Sequence, residues 1–117
     1  MTSFDPSDEL ESVHMIFGDD FAELVALYTT DSPKRLATLR EAITEDDRAR
    51  IAKVAHAFGG SCISIGATSL AALCQDLESC ARTLDACGLA RKLDLIAVEY
   101  ERIRARLHAM LGLGPCI

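Results

Sequence analysis

The chain has 117 residues, half of them hydrophobic, and a formal net charge of −6. That length buries a core without metal or disulfide staples, and the acidic balance argues against a nucleic-acid module, which gathers Lys and Arg on one face. No apolar run approaches a membrane span, and the acidic start MTSFDPSDELES is not a secretory signal, so a cytoplasmic protein without membrane insertion is expected.

Ala and Leu dominate, aromatics are few and Trp is absent. Both abundant residues favour helix, and five helical segments follow in order. The first covers residues 6–17. Asp5 suits the cap, Pro6 the first helical position, and Asp8 the positive end of the dipole. Leu10, Val13, His14 and Phe17 make its apolar side, and Gly18 its stop. The second covers residues 20–43, with Phe21, Leu24, Tyr28, Leu36, Leu39 and Ile43 at three- and four-residue steps. Pro33 removes one hydrogen bond inside it, and one kinked helix is preferred over two.

The third segment covers residues 45–65. Thr44 with Asp47 resembles a capping box, Gly66 ends the helix, and Ile51, Val54, Ala55, Phe58, Cys62 and Ile65 form its apolar stripe. The fourth covers residues 68–87, from a cap at Thr68 to a stop at Gly88. Its stripe is Leu70, Leu73, Cys74, Leu77, Ala81 and Leu84. The fifth covers residues 89–111, with Leu93, Ile96, Ala97, Tyr100, Ile103, Leu107 and Met110 inward, and ends at Gly112 and Gly114–Pro115. The expected fold is all-α: an antiparallel four-helix bundle with a short additional N-terminal helix, in one domain over residues 1–117.

Five cysteines stand at 62, 74, 80, 87 and 116, an odd number without a C-x-x-C pair. A disulfide framework and a zinc site are both disfavoured. Cys62 and Cys74 read as small core hydrophobes, and Cys116 as a thiol near the tail.

The third helix carries the candidate site. At about 100° per residue, His56 points roughly 150° away from the apolar stripe, towards solvent. Ala52, Gly59 and Gly60 lie one turn away on that face, together with Lys53. Two adjacent mid-helix glycines cost about 1 kcal/mol each relative to Ala. Open space around the imidazole for a partner surface would justify that cost. A lone surface His is ordinarily a solvated residue, but a neutral imidazole is also a nucleophile able to hold a phosphoryl group. Ile63, a large apolar residue near that side, suits a docking patch.

The run His56-Ala-Phe-Gly-Gly-Ser-Cys-Ile-Ser-Ile-Gly-Ala67 resembles the histidine phosphotransfer (HPt) signature. His56, Phe58, Gly60, Ser61, Cys62, Ile65, Gly66 and Ala67 match it, and Leu70, Leu73, Cys74, Leu77, Glu78 and Arg82 resemble the pattern that follows. Asp31, Ser32, Pro33 and Leu36 fit the preceding helix, so the likeness spans residues 21–107. The resemblance implies a free-standing phosphocarrier rather than an enzyme. It would accept a phosphoryl group on His56 from the aspartate of one receiver domain and pass it to another. The implied partners are receiver domains of hybrid sensor kinases and response regulators. The protein would need no cofactor of its own, since the receiver supplies Mg²⁺. A carrier that alternates between partners is expected to be a monomer.

One departure is Gly59, where the family usually has a Lys that helps to neutralise the phosphoryl charge. Lys53, one turn before His56, is the candidate substitute; Arg48 and Arg50 point further round the helix. Three other readings follow from the residues. One is a docking module of the same fold that has lost efficient transfer. A di-iron bundle would need two Glu-x-x-His pairs, and only Glu11 with His14 is present. A hydrolase would need a relay that Ser61 and His56, five apart on one helix, do not form.

Overall fold

The structure is a computed structural model that describes residues 9–112. The expected cap residues Asp5, Pro6 and Asp8, the terminator Gly114–Pro115 and Cys116 lie outside the described residues. The elements are α1 (Leu10–Phe17), a 3-10 turn (Gly18–Asp20), α2 (Phe21–Thr44), α3 (Arg48–Ile65), α4 (Thr68–Cys80) and α5 (Ala86–Met110).

Helices α2 to α5 close a ring in which each packs on its neighbours in chain order and α5 returns to α2. The polar contacts fix the sense of packing. Arg50 near the start of α3 meets Glu41 near the end of α2 at 3.0 Å. Arg48 at the start of α3 donates to the Ala81 carbonyl just past α4, at 3.1 Å, and to that of Leu84. Arg40 late in α2 meets Asp94 early in α5 at 3.6 Å. Neighbours therefore run antiparallel, as short joints require.

The core follows the expected stripes. Phe21, Tyr28, Leu39, Ile51, Ala55, Phe58, Cys62, Ile65, Leu70, Cys74, Leu77, Leu93, Ile96, Tyr100, Ile103 and Leu107 are buried. Leu24, Leu36, Val54, Leu73, Leu84 and Met110 pack half-buried against them. Phe17 departs from its expected inward place and is nearly half exposed. Pro33 sits inside a continuous α2.

Several helix ends differ from expectation, beginning with α1, which starts at Leu10 after Glu9 rather than at residue 6. Thr44 belongs to α2, its hydroxyl donating to the Arg40 carbonyl at 3.0 Å, and Asp47 caps α3 by accepting from Arg50 N at 3.2 Å. A turn through Asp46, held at φ 58, separates the two helices. Ala67, not Thr68, is the N-terminal flank of α4. At the far end α4 stops at Cys80 rather than 87. Asp85 then caps α5 by accepting from Gly88 N at 2.7 Å, so Gly88 lies in the first turn of α5 and terminates nothing.

Gly66 ends α3 as expected, in the left-handed conformation at φ 86. It also seats α1: Glu9 N donates to Gly66 O at 2.7 Å. A Cβ at Gly66 would stand 2.5 Å from the Glu9 carbonyl oxygen. His14 stacks on Phe21 with ring centroids 4.5 Å apart, which makes it the half-buried packing residue its position suggested. No helix among the described residues is long and apolar enough to cross a membrane.

Candidate functional site

The outer faces of α3 and α4 border a groove of about 510 Å³. From α3 it takes Ala55, His56, Gly59, Gly60 and Ile63; from α4 it takes small residues such as Ala71 and Ala72, with Gln75 and Glu78 towards the His56 end. The His56 side chain is 77% exposed at its rim. Helical spacing dictates that position, since His56 lies on the side of α3 opposite the stripe from Ile51 to Ile65. The lining is mostly apolar and small, so a partner's side chains and backbone can approach the imidazole.

Glu78 completes the site and was not singled out by spacing. Its Oε1 lies 3.1 Å from His56 Nδ1. An ionised carboxylate only accepts hydrogen bonds, so the contact requires a proton on Nδ1. In the neutral ring the lone pair is then on Nε2, which carries the nucleophilic character. A hydrogen bond at one imidazole nitrogen also fixes the orientation of the ring and the tautomer at the other. The signal for Glu78 lies in the α3–α4 register, which sets residues 22 apart side by side. Periodicity along one helix does not report it.

The expected neighbours of His56 separate into two groups. Gly60 and the 65% exposed Ile63 stand on the groove as anticipated. A Cβ at Gly60 would meet nothing within 4 Å. Gly59 is corrected: it is buried, and an added Cβ would stand 3.4 Å from Cys74 Cβ and 3.8 Å from the Ala71 carbonyl oxygen. It lines the groove, but as a buried residue that lets α3 pack closely on α4. Ala52 is likewise half-buried against the core and is not part of the groove lining.

Lys53 is exposed on α3, one turn before His56. Arg48 and Arg50 are engaged elsewhere, with the α4–α5 joint and with Glu41. Ser61 accepts from Arg35 Nη1 at 2.9 Å and so takes part in an α2–α3 contact, not a relay with His56. His108 lies in the last turn of α5 beside Arg104, far along the chain from the groove. No cluster of three or more His, Cys, Asp or Glu side chains among the described residues has the arrangement of a metal site.

Comparison with known proteins identifies the family. The family model described as "Hpt domain" matches residues 23–112, most of the chain. The chain belongs to the Hpt domain family. Among solved structures it is similar to the crystal structure of histidine-containing phosphotransfer protein B (HptB) from Pseudomonas aeruginosa PAO1. That match has a TM-score of 0.66 and 26% identity, and covers 88% of this chain and 98% of that one. No curated protein matches the chain. Hpt proteins are phosphocarriers that interact with receiver domains in phosphorelays, and membership makes this chain a phosphorelay protein of that kind.

Proposed function

We propose that His56 accepts a phosphoryl group from the aspartyl phosphate of a receiver domain and passes it to a second receiver in a multistep relay. One observation carries this reading: an exposed imidazole beside a groove of small residues, whose Nδ1 is held by Glu78 so that the lone pair is left on Nε2.

The chemistry follows from that arrangement. Nε2 attacks the phosphorus of the acyl phosphate; the N–P bond forms and the P–O bond to the aspartyl carboxylate breaks, its electrons leaving on the carboxylate. Positive charge develops on the ring, and the Nδ1–H···Glu78 contact stabilises it. Phosphoryl transfer depends chiefly on alignment and charge stabilisation, and a bundle helix holds the imidazole in place. Mg²⁺ would be held by the receiver and would neutralise the phosphoryl oxygens there. In the reverse step a receiver carboxylate attacks the same phosphorus and regenerates neutral His56.

Lys53 is the proposed source of positive charge in place of the usual Lys at the Gly59 position. Lys53→Ala is expected to slow transfer; an unchanged rate would remove that role. A transfer-deficient docking module remains the second reading, because Gly59 leaves no cation one turn after His56. The test is incubation with a radiolabelled, phosphorylated receiver. Acid-labile, alkali-stable label on the wild-type chain and none on His56→Ala supports transfer. Receiver binding without label supports the docking module. We further propose that the chain is a single HPt domain acting as a monomer in the cytoplasm.

A further inference from the structure

Beneath the groove lies a buried cluster that phosphotransfer does not use. Cys62 on α3 and Cys74 on α4 are both fully buried. Gly59, one turn before Cys62, lets the two backbones approach, with its Cβ direction aimed at Cys74 Cβ. Tyr28 on α2 closes the cluster, its hydroxyl 3.7 Å from Cys62 Sγ. The interaction of the two thiols with each other is the largest influence on each. It holds Cys62 below the usual thiol range and, together with burial, pushes Cys74 above it. Arg35, anchored on the neighbouring Ser61, adds positive potential at Cys62.

Two apolar side chains would fill this space as well, but they would have no chemistry. We propose that Cys62 and Cys74 are a redox pair that closes an internal disulfide between α3 and α4, beneath the His56 groove, on exposure to a peroxide. The positive charge of Arg35, anchored on Ser61 beside Cys62, favours the Cys62 thiolate and so gives the order of events. The Cys62 thiolate attacks one peroxide oxygen and the O–O bond breaks. The hydroxide released takes the proton that Cys62 gave up, leaving a sulfenic acid and one water. The Cys74 sulfur then attacks the Cys62 sulfur; the S–S bond forms, the S–O bond breaks, and the departing hydroxide leaves as water with the Cys74 proton. Two thiols lose two electrons and two protons, and one hydrogen peroxide becomes two waters. Because both thiols are buried, reaction waits on local opening and is slower than at the exposed Cys87.

The test confines the chemistry to the pair. Protein carrying Cys80→Ser, Cys87→Ser and Cys116→Ser is treated with hydrogen peroxide, unfolded, alkylated and weighed intact. The expected product has lost two hydrogens, takes up no alkyl groups, and forms in a yield independent of protein concentration. Trypsin leaves Cys62 and Cys74 on one peptide, because no Lys or Arg intervenes between Lys53 and Arg82. Chymotrypsin, which cuts at Leu70 and Leu73, should release them as a cross-linked pair. Alkylation of both thiols, separate sulfinic acids, or a bridge only between molecules would overturn the proposal. The same digest on unsubstituted protein keeps the test decisive if the triple variant folds poorly. Neither readout involves phosphoryl transfer, so failure here leaves the role of His56 untouched.

Discussion

Gly60→Ala separates the stability of α3 from its use. Gly60 lies in the interior of a regular helix, and a Cβ there meets nothing within 4 Å. A mid-helix glycine is about 1 kcal/mol less favourable than alanine, part of it through the freedom glycine retains in the unfolded chain. With no neighbour to crowd, the full gain of about 1 kcal/mol should be realised. For a domain of this size that raises Tm by roughly 4 °C. The same methyl stands in the groove one turn after His56, where a receiver must approach. Urea unfolding, with the slope checked for constancy, and transfer from a phosphorylated receiver are the paired assays. The expected outcome is a more stable protein that transfers more slowly. Unchanged or lower stability would show that the position is not open. Higher stability with undiminished transfer would show that the groove is not the partner's approach.

Other outcomes follow from the same contacts. Glu78→Ala frees His56 Nδ1; an exposed pair is worth up to about 1 kcal/mol, so transfer should fall by as much as about fivefold while the fold persists by circular dichroism. Gly66→Ala imposes a left-handed conformation on alanine, at roughly 1–2 kcal/mol, and drives a methyl into the Glu9 carbonyl. Unfolding should come earlier, and the Glu9 amide should lose its protection from hydrogen exchange. Asp85→Ala removes the α5 cap and should lower unfolding free energy by about 1 kcal/mol; no change would mean that Gly88 N finds an equal partner in water.

The stripes of α2 to α5 were legible because each long helix buries one face, and burial of one face is what a three- and four-residue period encodes. His56 was legible for the complementary reason: it falls off that stripe, on the open side of the helix. The ends were harder. Thr44 and Asp47 are both acceptable caps, and the choice fell to Asp47 because α2 runs on through Thr44. Gly88 resembled a stop, but Asp85 three residues earlier converts it into an amide donor of the next helix. A single-helix projection puts Gly59 and Ala52 in the open because it treats burial as one narrow arc, whereas α3 is covered by α2 on one flank and α4 on another. Glu78 was the largest gap. Its meeting with His56 depends on how α4 docks along α3, which neither helix encodes alone.

The most direct test of the central claim is where the phosphorus lands. Protein labelled with ¹⁵N at histidine, phosphorylated through a receiver and held at alkaline pH, should show one phosphoramidate whose ³¹P couples to Nε2 of His56, with Nδ1 carrying the proton held by Glu78. Phosphorus on Nδ1, on another histidine, or on no nitrogen of the chain would contradict the account.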